Sequence, residues 1–572
     1  MTAVDDRDDE LAESGVPSDA DADLDDLDGI DGIDGIDAPP PTPAPWWVRA
    51  GIAVVVAVGI VARFLPRGDL WLDEALSANI AELGPGGAAQ ALRRDGHPPL
   101  FYWLLDGWSM LFGDSAWALR SLSGILGVAA LPLAWIAGRR LVERQAPSSP
   151  FRRDLDRRAA TTAAAALVIT ALLPFAVRYS SETRMYSLVM LLTLIGYLLV
   201  DAHLRRPRWS TAVGIAVTTA ALLWSHYWAL WLLGATGVGA LALAWWSQRR
   251  QVVPRRNAAL GVAAALVVGG LAFLPWVPTM LYQGANTGTP WGDPVRPATF
   301  VVLGLIYLAG GAVAEPQLVA YLFAGLIVMG ILGTTNRRGR LELGLRIRPN
   351  AQPEAVVVVI TLGLAWAASF AARSAFAARY LAVLVPLIIL IAATGLSAIR
   401  DDRWRRVVAA VLLVGFTVGI VAEIDRGRTQ AGEIADATVA AAADAGDRPL
   451  LIVCPDQNGP SVERALRARG GADAVEIVTY PALGDPRFVD WVGYAERNAA
   501  ADPGAIAGEA LDRAAGRTVL YAFTGNYRTL EGQCEAVLQA LATVRGAPAV
   551  LVPPAERNED EPAIELLRFD PR

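Results

Sequence analysis

The chain has 572 residues, of which 54% are hydrophobic and only 19% charged, too little polar surface for a soluble globular protein of that size. Its net charge of −7 hides two unlike parts: residues 1–45 carry fifteen Asp or Glu against Arg7 alone, leaving about +7 for the remainder, which contains no lysine. No nucleic-acid partner is expected.

In chain order, the acidic head comes first. Asp21 to Asp37, with three Asp-Gly-Ile units before Pro39-Pro40-Pro41, cannot bury a core and is expected to be a disordered cytoplasmic tail over residues 1–45. It is not an EF-hand loop, because Asp26 stands where that loop needs glycine. An acidic start also argues against a cleaved signal peptide.

From residue 46 onwards, apolar runs long enough to cross a bilayer as helix alternate with arginine clusters. Arg139 to Arg158 contributes seven arginines, Arg205 to Arg208 three, Arg249 to Arg256 four, Arg337 to Arg348 five and Arg400 to Arg406 four. The positive-inside rule puts all five clusters in the cytoplasm. That fixes the expected spans as Trp47–Leu65, Ala116–Ala137, Ala160–Val177, Met185–His203, Ser210–Ser225 and Trp228–Trp246. Asn257–Thr279, Gln317–Thr334, Ala355–Ala372, Tyr380–Ser397 and Val407–Ala422 follow, for about eleven in all.

Pro99–Phe112 and Ala298–Gly311 are apolar but short, and are expected to lie at the outer surface. The expected architecture is a polytopic α-helical membrane domain over residues 46–422, with a first outer loop at 66–115. A soluble extracytoplasmic α/β domain over 423–572 completes it. In that domain, strands at 449–453, 474–480, 518–523 and 549–552 alternate with helices at 461–469, 505–515 and 530–544, which predicts a mainly parallel sheet. Both cysteines, Cys454 and Cys534, fall there, and a disulfide between them competes evenly with two buried thiols.

This topology collects polar residues on the outer face: Asp73, Glu74, Asp95, His97, Arg178, Tyr179, Glu182, Arg184, Tyr186, His226, Tyr227, Arg373, Arg379 and Tyr380. Ionisable groups beside a bilayer are costly to desolvate and are functional candidates by default. Each also has a bland reading. Asp73 is a natural N-cap for a helix Glu74–Leu83, His97 a turn residue before Pro98-Pro99, and the arginines interfacial anchors. No zinc spacing, phosphate-binding loop or nucleophile elbow is present.

Three blocks then carry a resemblance: Leu70-Trp71-Leu72-Asp73-Glu74-Ala75, Asp95-Gly96-His97-Pro98-Pro99-Leu100-Phe101-Tyr102-Trp103, and Arg178-Tyr179-Ser180-Ser181-Glu182-Thr183-Arg184-Met185-Tyr186. Together, over roughly residues 47–420, they resemble the bacterial members of the GT-C superfamily of membrane glycosyltransferases, in the family-39-like branch of protein O-mannosyltransferases and the lipid A aminoarabinose transferase. Ser225-His226-Tyr227 and Arg379-Tyr380 look like weaker members of the same set.

The resemblance implies an inverting transfer of a sugar from a polyprenyl phosphate to an acceptor hydroxyl, on the outer face of the bacterial cytoplasmic membrane. The acceptor would be an envelope glycan, lipid or protein. It further implies Asp73 as base, with Glu74 orienting the acceptor or sharing that role. Arg184 and Arg379 would hold the donor phosphate with Arg178, His226 and Tyr380 in support, while His97, Glu182 and Tyr186 would position acceptor or loop. Acidic pairs serve members with and without a metal, so a divalent cation stays open.

One departure stands out. The aminoarabinose transferase carries a lysine in the segment matching His97-Pro98-Pro99, where this chain has none. A lipid-linked-sugar flippase and a non-catalytic envelope-glycan-binding protein are the alternatives. The first would call for paired repeats with broken helices at the midplane.

Overall fold

A computed structural model describes residues 45–65, 67–144, 152–288, 292, 296–310, 316–335, 341–343, 351–371, 376–425, 429–525, 527–555 and 561–571. The acidic tail over residues 1–44, with its Asp21–Asp26 stretch, the arginines of the Arg337–Arg348 cluster and Arg373 lie outside the described residues.

The first long helix is α1 (Trp46–Phe64), and the loop after it folds as α2 (Leu72–Ala81), α3 (Gly84–Leu92) and α4 (Leu100–Phe112). Then come α5 (Ala116–Glu143), the bent pair α6 (Arg152–Leu172) and α7 (Pro174–Ser180), α8 (Tyr186–Arg205), α9 (Trp209–Ser225) and α10 (Ala229–Arg249). A second bent pair, α11 (Val253–Leu271) and α12 (Val277–Asn286), precedes α13 (Pro297–Ala309) and α14 (Pro316–Leu332). A short antiparallel pair, β1 (Gly333–Thr335) and β2 (Leu341–Leu343), leads to α15 (Gln352–Ala371), α16 (Val385–Ala398) and α17 (Asp402–Asp425).

Six of these helices are long and apolar enough to cross a membrane, and counting each bent pair as one span gives eight. The other three expected spans are the shorter apolar helices α9, α14 and α16; α13, expected at the outer surface, is also a short apolar helix. The chain is a multi-pass helical membrane protein with a C-terminal α/β domain.

The break between α6 and α7 turns the chain by 53°. Pro174 has no N–H to give the Thr170 carbonyl, so the end of α6 is left with unpaired acceptors. Arg63, buried on α1, supplies the donors: its guanidinium reaches the carbonyls of Thr170 and Ala171 at 2.7 Å each and its own Gly59 carbonyl at 2.6 Å. Glycine at 59 permits the approach, because a Cβ there would run into the Ala171 carbonyl.

The bundle has two chemically distinct ends. At one, the last turns of α5 and α8 and the first turns of α6, α15 and α17 meet: Arg205 donates to the Arg140 carbonyl at 2.9 Å, Arg144 pairs with Glu354 at 2.8 Å and Arg157 with Asp402 at 2.6 Å. Here the described arginine clusters gather. The opposite end of the same helices holds the start of α8, the end of α9 and the turn 378–383 before α16.

The C-terminal domain comprises α18 (Ala431–Ala445), β3 (Leu450–Cys454), α19 (Gly459–Ala468), β4 (Glu476–Thr479), α20 (Tyr494–Ala499), α21 (Pro503–Ala514), β5 (Val519–Phe523), α22 (Gln533–Arg545), β6 (Ala549–Val552) and β7 (Glu565–Phe569). Its sheet runs β4-β3-β5-β7-β6. The first three strands are parallel, as predicted, but β7 is antiparallel to both β5 and β6. The sheet is therefore mixed. Cys454 and Cys534 are disulfide-bonded with Cα atoms 5.8 Å apart.

The domain is docked on α2. Trp71 and Leu72 pack against Val489, Tyr494 and Trp491. Arg464 reaches Asn79 at 2.8 Å and Glu82 at 2.7 Å, and Arg469 reaches Asp69 at 3.1 Å.

Candidate active site

Asp73 lies in the first turn of α2, where a negative charge suits the positive helix end. It is not the cap predicted from the sequence. The helix begins two residues earlier, at Leu72; Trp71 occupies the cap position and its side chain makes no capping hydrogen bond. The Asp73 carboxylate instead faces two guanidinium groups, with Arg184 at 3.6 Å and Arg379 at 3.5 Å from Oδ2. These are ion-pair distances, and among the described residues no donor makes a hydrogen bond to that buried oxygen.

Arg184 comes from the turn between α7 and α8 and is 3% exposed at its side chain. Its Nη1 donates to Ser77 Oγ at 3.0 Å and to the Asp73 carbonyl at 3.4 Å, and its Nη2 lies 3.2 Å from His97 Nε2. Arginine has only donors, so His97 Nε2 must accept. The ring proton is then on Nδ1, which meets Asp95 Oδ2 at 2.9 Å, and Tyr102 donates to the same oxygen at 3.3 Å. Burial pushes the Asp95 carboxyl up, but the hydrogen bonds from His97 and Tyr102 and the charge of Arg184 outweigh it and hold Asp95 below its ordinary value.

Glu74, the neighbour of Asp73, points elsewhere. It is fully buried, takes hydrogen bonds from Arg120 at 2.8 and 2.6 Å and accepts the Thr183 N–H at 2.9 Å. It thus binds α2 to α5 and to the turn that carries Arg184, and its oxygens are not turned to a substrate.

Tyr186, His226 and Tyr380 form an aromatic wall: the His226 ring is 5.9 Å from Tyr186 and 5.4 Å from Tyr380, centre to centre, and Trp228 is 5.4 Å from Tyr380. The Tyr186 hydroxyl is buried without a hydrogen-bond partner among the described residues. Arg178 is drawn aside to Glu423 at 3.5 Å, at the end of α17, and Glu182 is buried and acts on Arg120 electrostatically. The geometry therefore brings Asp73, His97, Arg184, Tyr186, His226, Arg379 and Tyr380 together and sets Glu74, Arg178 and Glu182 behind them.

No protein-family model and no curated protein matches the sequence. Among solved structures, ArnT from Cupriavidus metallidurans bound to undecaprenyl phosphate is similar at 14% identity, over 92% of this chain and 98% of that one, with a TM-score of 0.53. Its apo state gives 14% identity over 91% and 98%, with a TM-score of 0.54. The chain shares the fold of that structure. The Archaeoglobus fulgidus oligosaccharyltransferase tethered to an acceptor peptide matches more loosely, at 10% identity over 88% and 73% and a TM-score of 0.46.

Within this fold, sequence reasoning missed Arg120 and underrated Asp95. Arg120 sits inside an otherwise apolar run, which was the available signal. Among the described residues no group of three His, Cys, Asp or Glu side chains could hold a metal ion. The acidic pair does not fit a divalent cation either, since Asp73 and Glu74 are both met by guanidinium groups.

Proposed function

We propose that this chain is a glycosyltransferase that moves a sugar from a polyprenyl-phosphate donor to an acceptor hydroxyl with inversion at the anomeric carbon. The observation that carries the reading is Asp73 Oδ2, buried without a hydrogen bond between Arg184 and Arg379. Both arginines stand off by more than a direct hydrogen bond. A donor phosphate, which guanidinium groups bind bidentately, competes for them. Donor binding then withdraws the two cations from Asp73 and leaves it as base.

Asp73 takes the proton from the acceptor hydroxyl, the hydroxyl oxygen bonds to the anomeric carbon, and the carbon–oxygen bond to the phosphate breaks. The charge that grows on the leaving phosphate is stabilised by Arg184 and Arg379. Ser77 and His97 hold Arg184 in place, while Tyr186, His226 and Tyr380 line the sugar side. The arginine clusters at the far end of the bundle support a cytoplasmic N-terminus and an extracytoplasmic active site and C-terminal domain. An envelope glycan, lipid or protein is the acceptor class.

The test is transfer by the purified full chain in lipid, with a polyprenyl-phosphate sugar as donor. Asp73→Asn is expected to fold normally and lose at least about 100-fold in rate. Wild-type turnover by that variant would end the assignment. Deletion of the gene is expected to leave the unused polyprenyl-phosphate sugar in the envelope lipids, detectable by mass spectrometry.

A further inference from the structure

One buried carboxylate outside the site described above reaches α2 from the C-terminal domain. Glu561 precedes β7 and is 3% exposed, and its Oε1 accepts the backbone N–H of Leu72 at 3.3 Å and the hydroxyl of Ser461 at 3.1 Å. Leu72 is the first residue of α2, and Asp73 is the next. The first turn of a helix has N–H groups with no partner inside the helix. A Ser, Thr, Asp or Asn at the cap position would normally accept one of them, but Trp71 stands there and has no acceptor to offer.

We propose that Glu561 is a positioning residue of the transfer centre: it is the N-terminal cap of α2, delivered from the C-terminal domain, and it fixes where Asp73 stands. This rests on the function proposed above. The other contacts of the domain with this region cannot do the same. Arg464 and Arg467 hold Glu82, just past the far end of α2, and Arg469 holds Asp69 in the loop before it. Among the described contacts of the domain, only Glu561 and the packing of Trp71 and Leu72 act on the turn that bears Asp73, which Arg120 and the Thr183 N–H hold from the membrane side through Glu74. Oε2 of Glu561 has no hydrogen-bond partner among the described residues, so the cap needs one acceptor oxygen and not a full carboxylate.

That distinction sets the experiment. Full-length wild type, Glu561→Gln, Glu561→Ala and Ser461→Ala are compared in lipid for hydrogen–deuterium exchange over residues 70–78, and for kcat and donor KM. Glu561→Ala is expected to speed exchange of the first-turn amides and to lower kcat roughly fivefold with donor KM unchanged. Glu561→Gln keeps an acceptor oxygen and is expected to restore both, with Ser461→Ala falling in between. Unchanged exchange and kcat in Glu561→Ala would overturn the proposal, as would a Gln variant impaired as badly as Ala. If the Ala variant does not fold, a wild-type-like Gln beside a slowed Ser461→Ala supports the cap and the reverse pattern overturns it. A wild type that transfers no sugar would defeat the function instead, and the exchange data would then decide the cap alone.

Discussion

Arg120 grips Glu74 through two hydrogen bonds of 2.8 and 2.6 Å in a place where neither side chain meets solvent to any extent. Removing one partner strands the other charge. Glu74→Ala is therefore expected to cost about 3–5 kcal/mol of stability, seen as a lowered thermal midpoint and poor recovery from detergent. Asp73→Asn, one residue away, is expected to leave the midpoint within a degree or two. Equal effects on the midpoint would show that the two carboxylates do not divide the work in this way.

Arg184 makes its contacts through a fork: Ser77 and the Asp73 carbonyl on one nitrogen, His97 on the other. A lysine keeps the charge and loses the fork. Arg184→Lys is expected to weaken donor binding about tenfold, measured by titration with a polyprenyl phosphate. Full retention of affinity would mean that charge alone suffices.

Two buried carboxyls give the C-terminal domain a pH signature. Burial is the largest influence on Glu561 and, aided by the charge of Glu74 and opposed by the hydrogen bonds from Ser461 and the Leu72 N–H, pushes it to about 7. Burial likewise pushes Asp456 to about 6, against the hydrogen bond from Tyr494 and the charge of Arg497. A raised carboxyl binds its proton more tightly when folded. Its contribution is full below the unfolded value, 4.5 for Glu561, and is lost as pH rises through about 7. Wild type is therefore expected to lose stability relative to Glu561→Gln between about pH 5 and pH 8, by something on the order of 3 kcal/mol. Thermal midpoints across that range, taken as the difference between the two proteins, check it; a flat difference would refute it.

The Cys454–Cys534 bridge closes a segment with a sequence separation of 80. Reduction is expected to destabilise the C-terminal domain by about 4 kcal/mol. Alkylation without prior reduction should add no mass, and a mass shift would rule the bridge out.

Much of this was legible because its signals are periodic or clustered. Arginine runs between apolar stretches located the helices, and the blocks around Asp73, His97 and Arg184 marked one end of the bundle. The division between Asp73 and Glu74 was not legible. Consecutive helix residues point about 100° apart, and only the packed neighbours tell which of the two meets Arg379 and which meets Arg120. The withdrawal of Arg178 to Glu423 was hidden for a similar reason, as its partner is far away in sequence. β7 was missed because Glu565-Leu566-Leu567-Arg568-Phe569 is short and its pairing with β5 is non-local.

The reach of Arg63 from α1 to the end of α6 has a further consequence. Of the six long apolar helices, α1 is the least covered by protein, with 17% of its apolar window buried, so its tilt answers most directly to the thickness of the surrounding bilayer. Arg63 couples that tilt to the bend after which the chain delivers Arg184. A membrane of the wrong thickness would thus act on donor binding through α1, and the acyl-chain length of the lipid used for reconstitution becomes a variable of the reaction itself.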